Sequence, residues 1–266
     1  MKLGTLRGRA VLIEGDRALD VGPSVRNLLG SLHTLSRVSV DDAPRFEVAE
    51  LSAPVPDPRQ VFAIALNYAP HAAEAGYTAP DQPLVFTKFA SCLTGPVSTV
   101  TLPPGGHTDW EIEVVAVVGR GGRDIPESEA WTALAGVTLG QDLSERVLQL
   151  AGRPAQFSLG KSYAGFGPVG PWIVTPDELV APDDIAFSST LDGAPLQSGR
   201  TSHMIFSIPK LVAFLSSVCE LHPGDLIFTG TPEGIGNRMD PPRFLRPGHT
   251  LVSRADGIGE ITTQFI

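Results

Sequence analysis

Residues 109–119 read DWEIEVVAVVG, and this stretch says more about the fold than any other segment of the chain. A short apolar run rich in valine predicts a strand over residues 111–118. Side chains two apart in a strand point to the same face, so Glu111 and Glu113 are expected to lie side by side. Two interpretations stay open. Either both glutamates face solvent and the alternate apolar residues face the core, or both glutamates are buried.

The buried interpretation requires a partner for the two negative charges. Adjacent carboxylates repel each other unless a cation or a shared proton lies between them. A hard divalent cation such as Mg²⁺ resolves this conflict, because it prefers oxygen ligands and keeps positions open for water or substrate. A third carboxylate, Asp142, occurs in GVTLGQDLSER (136–146) after another apolar run. By itself Asp142 is interpreted as an ordinary aspartate that ends a strand or caps a helix.

Two other polar residues and one pair have candidate chemical roles. NYAPHAAE (67–74) places His71 and Glu74 one helical turn apart, where the carboxylate can orient the imidazole as a general base. A surface ion pair is the alternative for that pair. Lys161 in a glycine-rich, aromatic setting and Lys88 in PLVFTKFAS could each stabilise an enolate or bind a substrate carboxylate. From its sequence setting alone, each is interpreted as a solvated loop lysine.

The turn-rich stretch TGTPEGIG (229–236) follows an apolar run. Its glycines allow backbone N–H groups to converge on an oxygen anion, although a purely structural turn also explains them. The stretch lacks the lysine of a P-loop and the spacing of a dinucleotide-binding loop. The chain also lacks the G-x-S-x-G and H-E-x-x-H motifs, which argues against an ordinary serine hydrolase and a zinc protease.

Composition limits the class of protein and its partners. The 266 residues include 20 Lys and Arg against 29 Asp and Glu, for a net charge of −9. That balance argues against nucleic-acid and anionic-membrane partners. Cys92 and Cys219 form no metal-binding motif and are expected to be reduced thiols. With no signal peptide and no apolar run of membrane-spanning length, we expect a cytoplasmic protein.

The organisation along the chain predicts an α+β, β-rich fold. The 28 glycines and 24 prolines favour many short strands. Residues 1–56 are predicted as a small N-terminal domain, containing a short helix after Ser24, and residues 57–266 as the main domain. The clearest helix is predicted over residues 208–221, with Ser207 as its N-cap.

Taken in order, these motifs closely resemble the fumarylacetoacetate hydrolase superfamily. The segments that carry the resemblance are ALNYAPHAAEAG, PLVFTKFASCLTGP, DWEIEVVAVVG, GVTLGQDLSERVLQ, GKSYAGFGPVGP and HMIFSIPKLVAFLSSVCELHPGDLIFTGTPEGIG. The resemblance implies a mixed β-sandwich roll beside the small N-terminal domain. It also implies a homodimer that binds Mg²⁺ or Mn²⁺.

The resemblance also assigns roles to individual residues. It implies that the metal ligands are Glu111, Glu113 and Asp142. It implies that the catalytic residues are His71 and Glu74, on a lid over the substrate, together with Lys161. With Lys88 added from its sequence setting, the expected substrate contacts are Asn67, Tyr68, Lys88, Arg146, Gln149 and Thr231.

Two segments depart from the family pattern. KSYAGF has Ala164 and Gly165 where the family commonly has Asp and Thr, and SERV has Val147 where the family has Asp. These changes spare the metal ligands but remove acids expected beside the site, so they bear on which substrate fits.

We therefore expect a divalent-metal-dependent hydrolase that cleaves a C–C bond in a 1,3-dicarbonyl acid of acylpyruvate or fumarylpyruvate type. The substrate would be a small 2-oxo acid, His71 would activate water, and the charge of an enolate leaving group would be stabilised beside Lys161. The same enolate serves a 2-oxo acid decarboxylase, or an isomerase or hydratase of an unsaturated 2-oxo-dioate of the 2-hydroxyhepta-2,4-diene-1,7-dioate type. These reactions stay as alternatives. A third possibility is a catalytically impaired homologue that still binds metal or ligand.

Overall fold

Short strands make up most of the regular structure. The computed structural model describes residues 1–35, 38–74, 76, 78 and 80–266. The strands are β1 (Lys2–Leu6), β2 (Arg9–Glu14), β3 (Arg17–Gly22), β4 (Leu51–Ser52), β5 (Val61–Ala65), β6 (Leu84–Thr87), β7 (Leu93–Thr94), β8 (Val97–Val100), β9 (Thr108–Asp109), β10 (Ile112–Val118), β11 (Leu134–Gln141), β12 (Ser144–Glu145), β13 (Gly167–Val174), β14 (Ala186–Leu191), β15 (Ala194–Arg200), β16 (Leu226–Phe228), β17 (Thr250–Ala255) and β18 (Gly259–Phe265). The α-helices are α1 (Ala69–Glu74), α2 (Ala130–Ala133), α3 (Arg146–Leu150) and α4 (Ile208–Val218). The predicted α+β, β-rich class is confirmed.

The strands form one long sheet, one smaller sheet and a short ribbon. The long sheet runs in the order β3-β2-β1-β13-β11-β10-β16-β5-β6, with β4 beside β1 and β7 beside β13. The smaller sheet runs β15-β14-β17-β18-β8, and β9 pairs with β12. Within the long sheet, β16 is antiparallel to β10 and parallel to β5, so it joins two strands that are distant in sequence.

Strand β10 is buried on both of its faces. Ile112 and Val114 belong to a core cluster that includes α4 and the smaller sheet. Val115 and Val117 belong to a second cluster on the other face, together with Phe228 of β16. Burial on both faces explains why the run is continuously apolar, as is usual for interior strands. The predicted strand is confirmed to within one residue, because Glu111 lies directly before β10.

The N-terminal strands extend the long sheet beyond β13. Leu3 of β1 lies opposite Ile173 of β13, and β2 and β3 continue outward from β1. The proline-rich residues 53–58 form bends, and Val55 within them is buried. The domain boundary at residue 56 stays a prediction.

The helix predicted after Ser24 is shorter and of a different type. The chain forms turns first and then a 3₁₀ helix over Leu29–Thr34. The Ser24 hydroxyl accepts a long hydrogen bond from the Asn27 N–H, at 3.4 Å. Gly30 lies inside this segment, and glycine is among the residues that most disfavour an α-helix.

Helix α4 begins as predicted and ends three residues early. The Ser207 hydroxyl accepts from the Lys210 N–H at 3.5 Å, as expected of an N-cap. The helix stops at Val218 because Leu221 pairs with Gly122 in an isolated bridge, which draws the chain into an extended conformation. Across the described ranges, no helix has both the length and the hydropathy needed to cross a membrane.

Candidate active site

Three carboxylates from neighbouring strands meet beside the β10–β11 pair. Each of Glu111, Glu113 and Asp142 places an oxygen within 4.8 Å of the others, and all three side chains are buried. The strand register brings them together, because Glu113 lies opposite Gly140 and the Asp142 N–H donates to the Glu111 carbonyl at 2.8 Å. The interpretation in which both glutamates face solvent is wrong, because the second face of β10 is covered as well.

Lys161 lies against two of these three carboxylates. Its ammonium donates to Glu111 Oε2 at 2.8 Å, to Asp142 Oδ2 at 2.7 Å and to Ser144 Oγ at 2.8 Å. An ammonium has three protons, so these acceptors use all of them. Although burial alone lowers it, the charges of Asp142 and Glu111 raise the pKa of Lys161 above its ordinary value. Lys161 is therefore a buried cation and not a solvated loop lysine.

The loop that carries Lys161 can approach α3 because residue 160 is glycine. A Cβ on Gly160 would lie 2.7 Å from the backbone nitrogen of Gln149. A side chain there would push the loop away from α3, and the ammonium would move away from the carboxylates.

Lys88 is a second buried cation, behind Asp142. Its ammonium donates to Asp142 Oδ1 at 2.7 Å, to the Phe166 carbonyl at 3.1 Å and to the Lys161 carbonyl. These contacts use its three protons and hold Asp142 and the Lys161 backbone in place. The solvated alternative is wrong for Lys88 too. The expected substrate contact stays a prediction, and the structure gives Lys88 a supporting position.

Arg146, at the start of α3, connects Glu111 to an aspartate that the sequence analysis missed. Its guanidinium donates to Asp109 Oδ1, Glu111 Oε1 and Gln149 Oε1 at 2.7, 2.7 and 2.8 Å. Burial raises the pKa of Asp109 to about 6, against the opposing charge of Arg146. The signal for Asp109 was its spacing, since residues 109, 111 and 113 alternate as one face of an extended chain does.

Glu113 differs from the other two carboxylates because no cation is bonded to it. Its Oε2 accepts from the Gly230 N–H at 2.7 Å, and among the described residues no Lys or Arg forms an ion pair with it. Burial and the neighbouring charges of Asp142 and Glu111 raise the pKa of Glu113 well above its usual range. An ionised buried carboxylate in this position is uncompensated by the protein.

The donor set of the three carboxylates fits a hard divalent cation. Carboxylate oxygens are the ligands that Mg²⁺ and Mn²⁺ prefer, and this group offers no thiolate or imidazole. With Asp109 included there are four carboxylates, and when all of them are ionised they outnumber the buried cations Lys88, Lys161 and Arg146 by one. A divalent cation would turn that excess into a net positive charge, which suits an anionic substrate.

A cavity of about 400 Å³ opens beside the carboxylates. The polar residues that line it are His71, Glu111, Arg146, Gln149, Gln156, Lys161, Thr231, Asn237 and Arg238. The apolar residues that line it are Ile64, Ala65, Leu66, Leu84, Val85, Phe86, Leu150, Ala155, Phe157 and Ile235. The cavity therefore combines a charged end with an apolar wall.

His71 and Glu74 lie on α1, which follows β5 after a short turn. His71 Nδ1 is 3.3 Å from Glu74 Oε2, and the Glu74 carboxylate also accepts from the Gly234 N–H at 3.1 Å. His71 is buried and lines the cavity. The alternative of a surface ion pair is therefore wrong. Because Nδ1 faces Glu74, Nε2 is the ring nitrogen left for other contacts.

The loop over residues 229–236 directs its amides at carboxylates of this chain. The Gly230 N–H binds Glu113, and the Gly234 N–H binds Glu74. Thr231 lines the cavity, and its hydroxyl donates to the Ile112 carbonyl at 2.9 Å and accepts from Gln197 at 2.9 Å. The two amides bind different carboxylates and do not converge on one anion, so the loop connects the metal-type acids to the His71–Glu74 pair. Gln197, on β15, was not predicted.

Asn67 and Tyr68 lie outside the cavity wall. The Asn67 side chain bonds Thr229 and Phe206, with its Nδ2 2.7 Å from the Thr229 carbonyl. Tyr68 is in the core, with its ring edge-on to Phe187, and burial raises the pKa of its phenol. Their expected substrate contacts stay predictions, whereas Arg146, Gln149 and Thr231 do lie on the wall.

The departures from the family pattern lie away from this wall. Ala164 is exposed, and Val147 on α3 is exposed as well. Neither residue lines the cavity. Ala164 and Val147 are therefore not part of the cavity lining.

Comparison with known proteins places these features in one family. Residues 60–266 match the family model described as fumarylacetoacetate (FAA) hydrolase C-terminal. A crystal structure from Mycobacterium smegmatis, of a protein named as an HpcE candidate, is 47% identical. It superposes with a TM-score of 0.95 over 100% of this chain and 99% of that one.

Two further relatives carry named activities. Human mitochondrial oxaloacetate tautomerase FAHD2A is 37% identical over 84% of this chain and 71% of its own. The maleylpyruvate hydrolase of Sphingobium sp. SYK-6, crystallised with manganese(II) and pyruvate, is 26% identical. Its TM-score is 0.83 over 100% of this chain and 99% of that one. This chain belongs to the fumarylacetoacetate hydrolase family, whose members include hydrolases, isomerases and tautomerases.

Proposed function

We propose that this protein is a divalent-metal-dependent hydrolase that cleaves a C–C bond in a 1,3-dicarbonyl acid of acylpyruvate or fumarylpyruvate type. The observation that carries the proposal is the position of His71. It is held by Glu74 and lines the same cavity as Glu111 and Lys161. A general base, an acidic group suited to a metal and a buried cation therefore face one space.

Glu111, Glu113 and Asp142 would hold Mg²⁺ or Mn²⁺. When bound there, the cation supplies a Lewis acid for the oxygens of a 2-oxo acid. The manganese and pyruvate reported for the maleylpyruvate hydrolase support this assignment.

The chain's own residues supply the proton transfers. His71 Nε2 removes a proton from water, and the water oxygen bonds to the carbonyl carbon distal to the 2-oxo acid group. The π electrons of that carbonyl move onto its oxygen as the water adds. When the carbonyl group re-forms, the bond between its carbon and the carbon that lies between the two carbonyl groups breaks. Its electron pair passes to the enolate of the departing 2-oxo acid, which takes up a proton at carbon. Glu74 keeps the imidazole oriented throughout these transfers.

Charged and polar wall residues hold the substrate during this reaction. Lys161 contributes positive charge beside the developing enolate even though its protons are bonded to protein acceptors. Arg146 bonds Gln149 through Oε1, which leaves the Gln149 amide NH₂ for the substrate. Thr231 shapes the wall of the cavity, where its hydroxyl is fixed by the bonds to Ile112 and Gln197.

The experiment that tests the proposal is a metal-dependent assay with product identification. The protein is stripped with EDTA and supplied with Mg²⁺ or Mn²⁺, and the ultraviolet absorbance of acetylpyruvate, fumarylpyruvate and oxaloacetate is followed. Metal-dependent release of pyruvate from an acylpyruvate supports hydrolysis. Carbon dioxide from oxaloacetate would support a decarboxylase instead, and metal binding without turnover of any of them would support an impaired homologue.

The 37% identity to human oxaloacetate tautomerase favours a second candidate, which is proton transfer at the carbon of an enol or an unsaturated 2-oxo-dioate. This reaction uses the same base and the same enolate but no hydrolytic water. Loss of the enol absorbance of oxaloacetate, with no pyruvate formed, would identify a tautomerase. A shifted double bond in a 2-oxo-dioate without cleavage would identify an isomerase.

Homodimerisation and a cytoplasmic location also stay predictions. Light scattering of the purified protein at several concentrations tests the first, and a mass of one chain at every concentration would contradict it.

A further inference from the structure

Arg238 is a cation at the cavity mouth that has no partner among the residues that the structure describes. It ends the 3₁₀ segment Gly236–Arg238, lines the cavity and is exposed, whereas Lys161 and Arg146 on the same wall are buried. Its guanidinium makes no ion pair or hydrogen bond with any residue in the described parts of the chain. Surface arginines elsewhere, such as Arg200 and Arg254, are paired with carboxylates.

The backbone that carries Arg238 is fixed relative to the buried end of the cavity. The Asn237 N–H donates to Asp109 Oδ2 at 2.7 Å, and Asp109 Oδ1 binds Arg146 at 2.7 Å. The Gly236 carbonyl accepts from the Arg243 N–H at 2.9 Å. One aspartate therefore positions both the buried arginine and the segment that bears the exposed one.

The buried cations of the wall are already bonded to carboxylates. Lys161 is bonded to Glu111 and Asp142, and Arg146 is bonded to Glu111 and Asp109. Glu111 is the only acid that lines the cavity in the described parts of the chain. The described lining therefore offers Arg238 no free acid, and an anionic group of a ligand in the cavity can take that place.

We propose that Arg238 binds the distal carboxylate of the substrate, so that this site prefers 2-oxo diacids to 2-oxo monoacids of equal length. The inference rests on the proposed function, which places the 2-oxo acid group at the buried carboxylates. The exposed Leu84 and the partly buried Phe157 supply an apolar wall for the carbon chain, and the cavity of about 400 Å³ holds a small diacid. A guanidinium is the group that best matches a carboxylate in geometry.

The test measures binding to the Mn²⁺-loaded protein by calorimetry and needs no turnover. The probes are 2-oxoglutarate, 2-oxoadipate and 2-oxopimelate, each compared with the 2-oxo monoacid of the same number of carbons. These diacids lack a 1,3-dicarbonyl unit, so they are not cleaved. The variants are Arg238→Ala, Arg238→Lys and the control Arg246→Ala, whose side chain is exposed and outside the cavity wall.

We expect the wild type to favour at least one diacid over its monoacid, and Arg238→Ala to reduce that preference about tenfold, since a charge-assisted contact is lost. Arg238→Lys retains part of the preference, because the charge is kept and the bidentate geometry is lost. Arg246→Ala leaves the preference as in the wild type. If the wild type and Arg238→Ala both bind 2-oxo acids and show the same preference for diacids, the inference about Arg238 is overturned and the proposed function is not. Binding of no 2-oxo acid, pyruvate included, overturns the proposed function together with it.

Discussion

Lys88 and Asp142 form an ion pair that is completely buried, with Nζ 2.7 Å from Oδ1 and both side chains 0% exposed. The second oxygen of Asp142 is bonded to Lys161 at 2.7 Å. Both carboxylate oxygens are thus oriented by lysines, so Asp142 is held in position by the protein alone.

Replacing Lys88 with methionine tests whether this residue supports the site or contacts the substrate. The change keeps the volume but leaves Asp142 with a buried, partly compensated charge, which costs about 3–5 kcal/mol of unfolding free energy. Urea denaturation measures this loss, with Lys210→Met as the exposed control. Unchanged stability with a raised KM would instead make Lys88 a substrate contact.

Glu113→Gln is expected to raise the melting temperature of the metal-free protein and to reduce the further increase that Mn²⁺ causes. Without metal, the change removes a carboxyl whose ionised form is disfavoured by burial and by Glu111 and Asp142, while the Gly230 hydrogen bond still has an acceptor. The raised pKa of Glu113 lowers the stability of the folded protein at neutral pH, so its removal raises the melting temperature. With Mn²⁺ a ligand is missing, so the stabilisation by metal is largely lost. Thermal melts in EDTA and in Mn²⁺ measure both effects, and exposed Glu220→Gln serves as the control. A full Mn²⁺ shift in Glu113→Gln would rule this residue out as a ligand.

His71→Ala and Glu74→Gln are expected to impair turnover and spare metal binding. Loss of a positioned general base lowers kcat by about 10²–10⁴-fold. Neither residue belongs to the group of three carboxylates, so the Mn²⁺ affinity stays at the wild-type value. Electron paramagnetic resonance titration measures that affinity, and exposed His203→Ala is the control. If His71→Ala keeps the wild-type kcat, His71 has no role in the mechanism.

Gly140→Ala tests how closely the strands pack next to Asp142. A Cβ at Gly140 would lie 2.7 Å from Val115 Cγ2 and 2.9 Å from Phe228 Cε1. Overpacking of this kind costs about 1–3 kcal/mol, and the shift of β11 is expected to weaken Mn²⁺ binding too. Gly30→Ala is the matched control, because its Cβ would meet nothing within 4 Å. Equal effects of the two substitutions on denaturant midpoints would contradict the close packing.

The features that the sequence predicts well are those with a local cause. The spacing of Glu111 and Glu113 within an apolar run predicts one strand and one shared face, and the structure has both. The three-residue spacing of His71 and Glu74 likewise predicts their contact on one helical turn. In each case the geometry follows from the periodicity of the backbone, which is two residues in a strand and about 3.6 residues in an α-helix.

The features that the sequence predicts poorly depend on distant contacts. Lys88 and Lys161 read as surface residues, because lysine is almost never buried without a partner, and their partners are remote in sequence. The role of Asp109 depends on Arg146 reaching it from α3. The end of α4 depends on the bridge between Leu221 and Gly122. No local pattern contains these pairings.

Strand β16 joins the two halves of the site across the long sheet. On one side is β10, which carries Glu113, and on the other is β5, which leads into the helix of His71. Because β16 spans residues 226–228, a nascent chain on the ribosome contains the acids and the histidine long before it contains the strand between them. Closing so long a loop is an intrinsically slow step of folding. The cavity is therefore completed only after β16 has been synthesised, so a chain terminated between residues 142 and 226 would carry every proposed metal ligand and still lack the site.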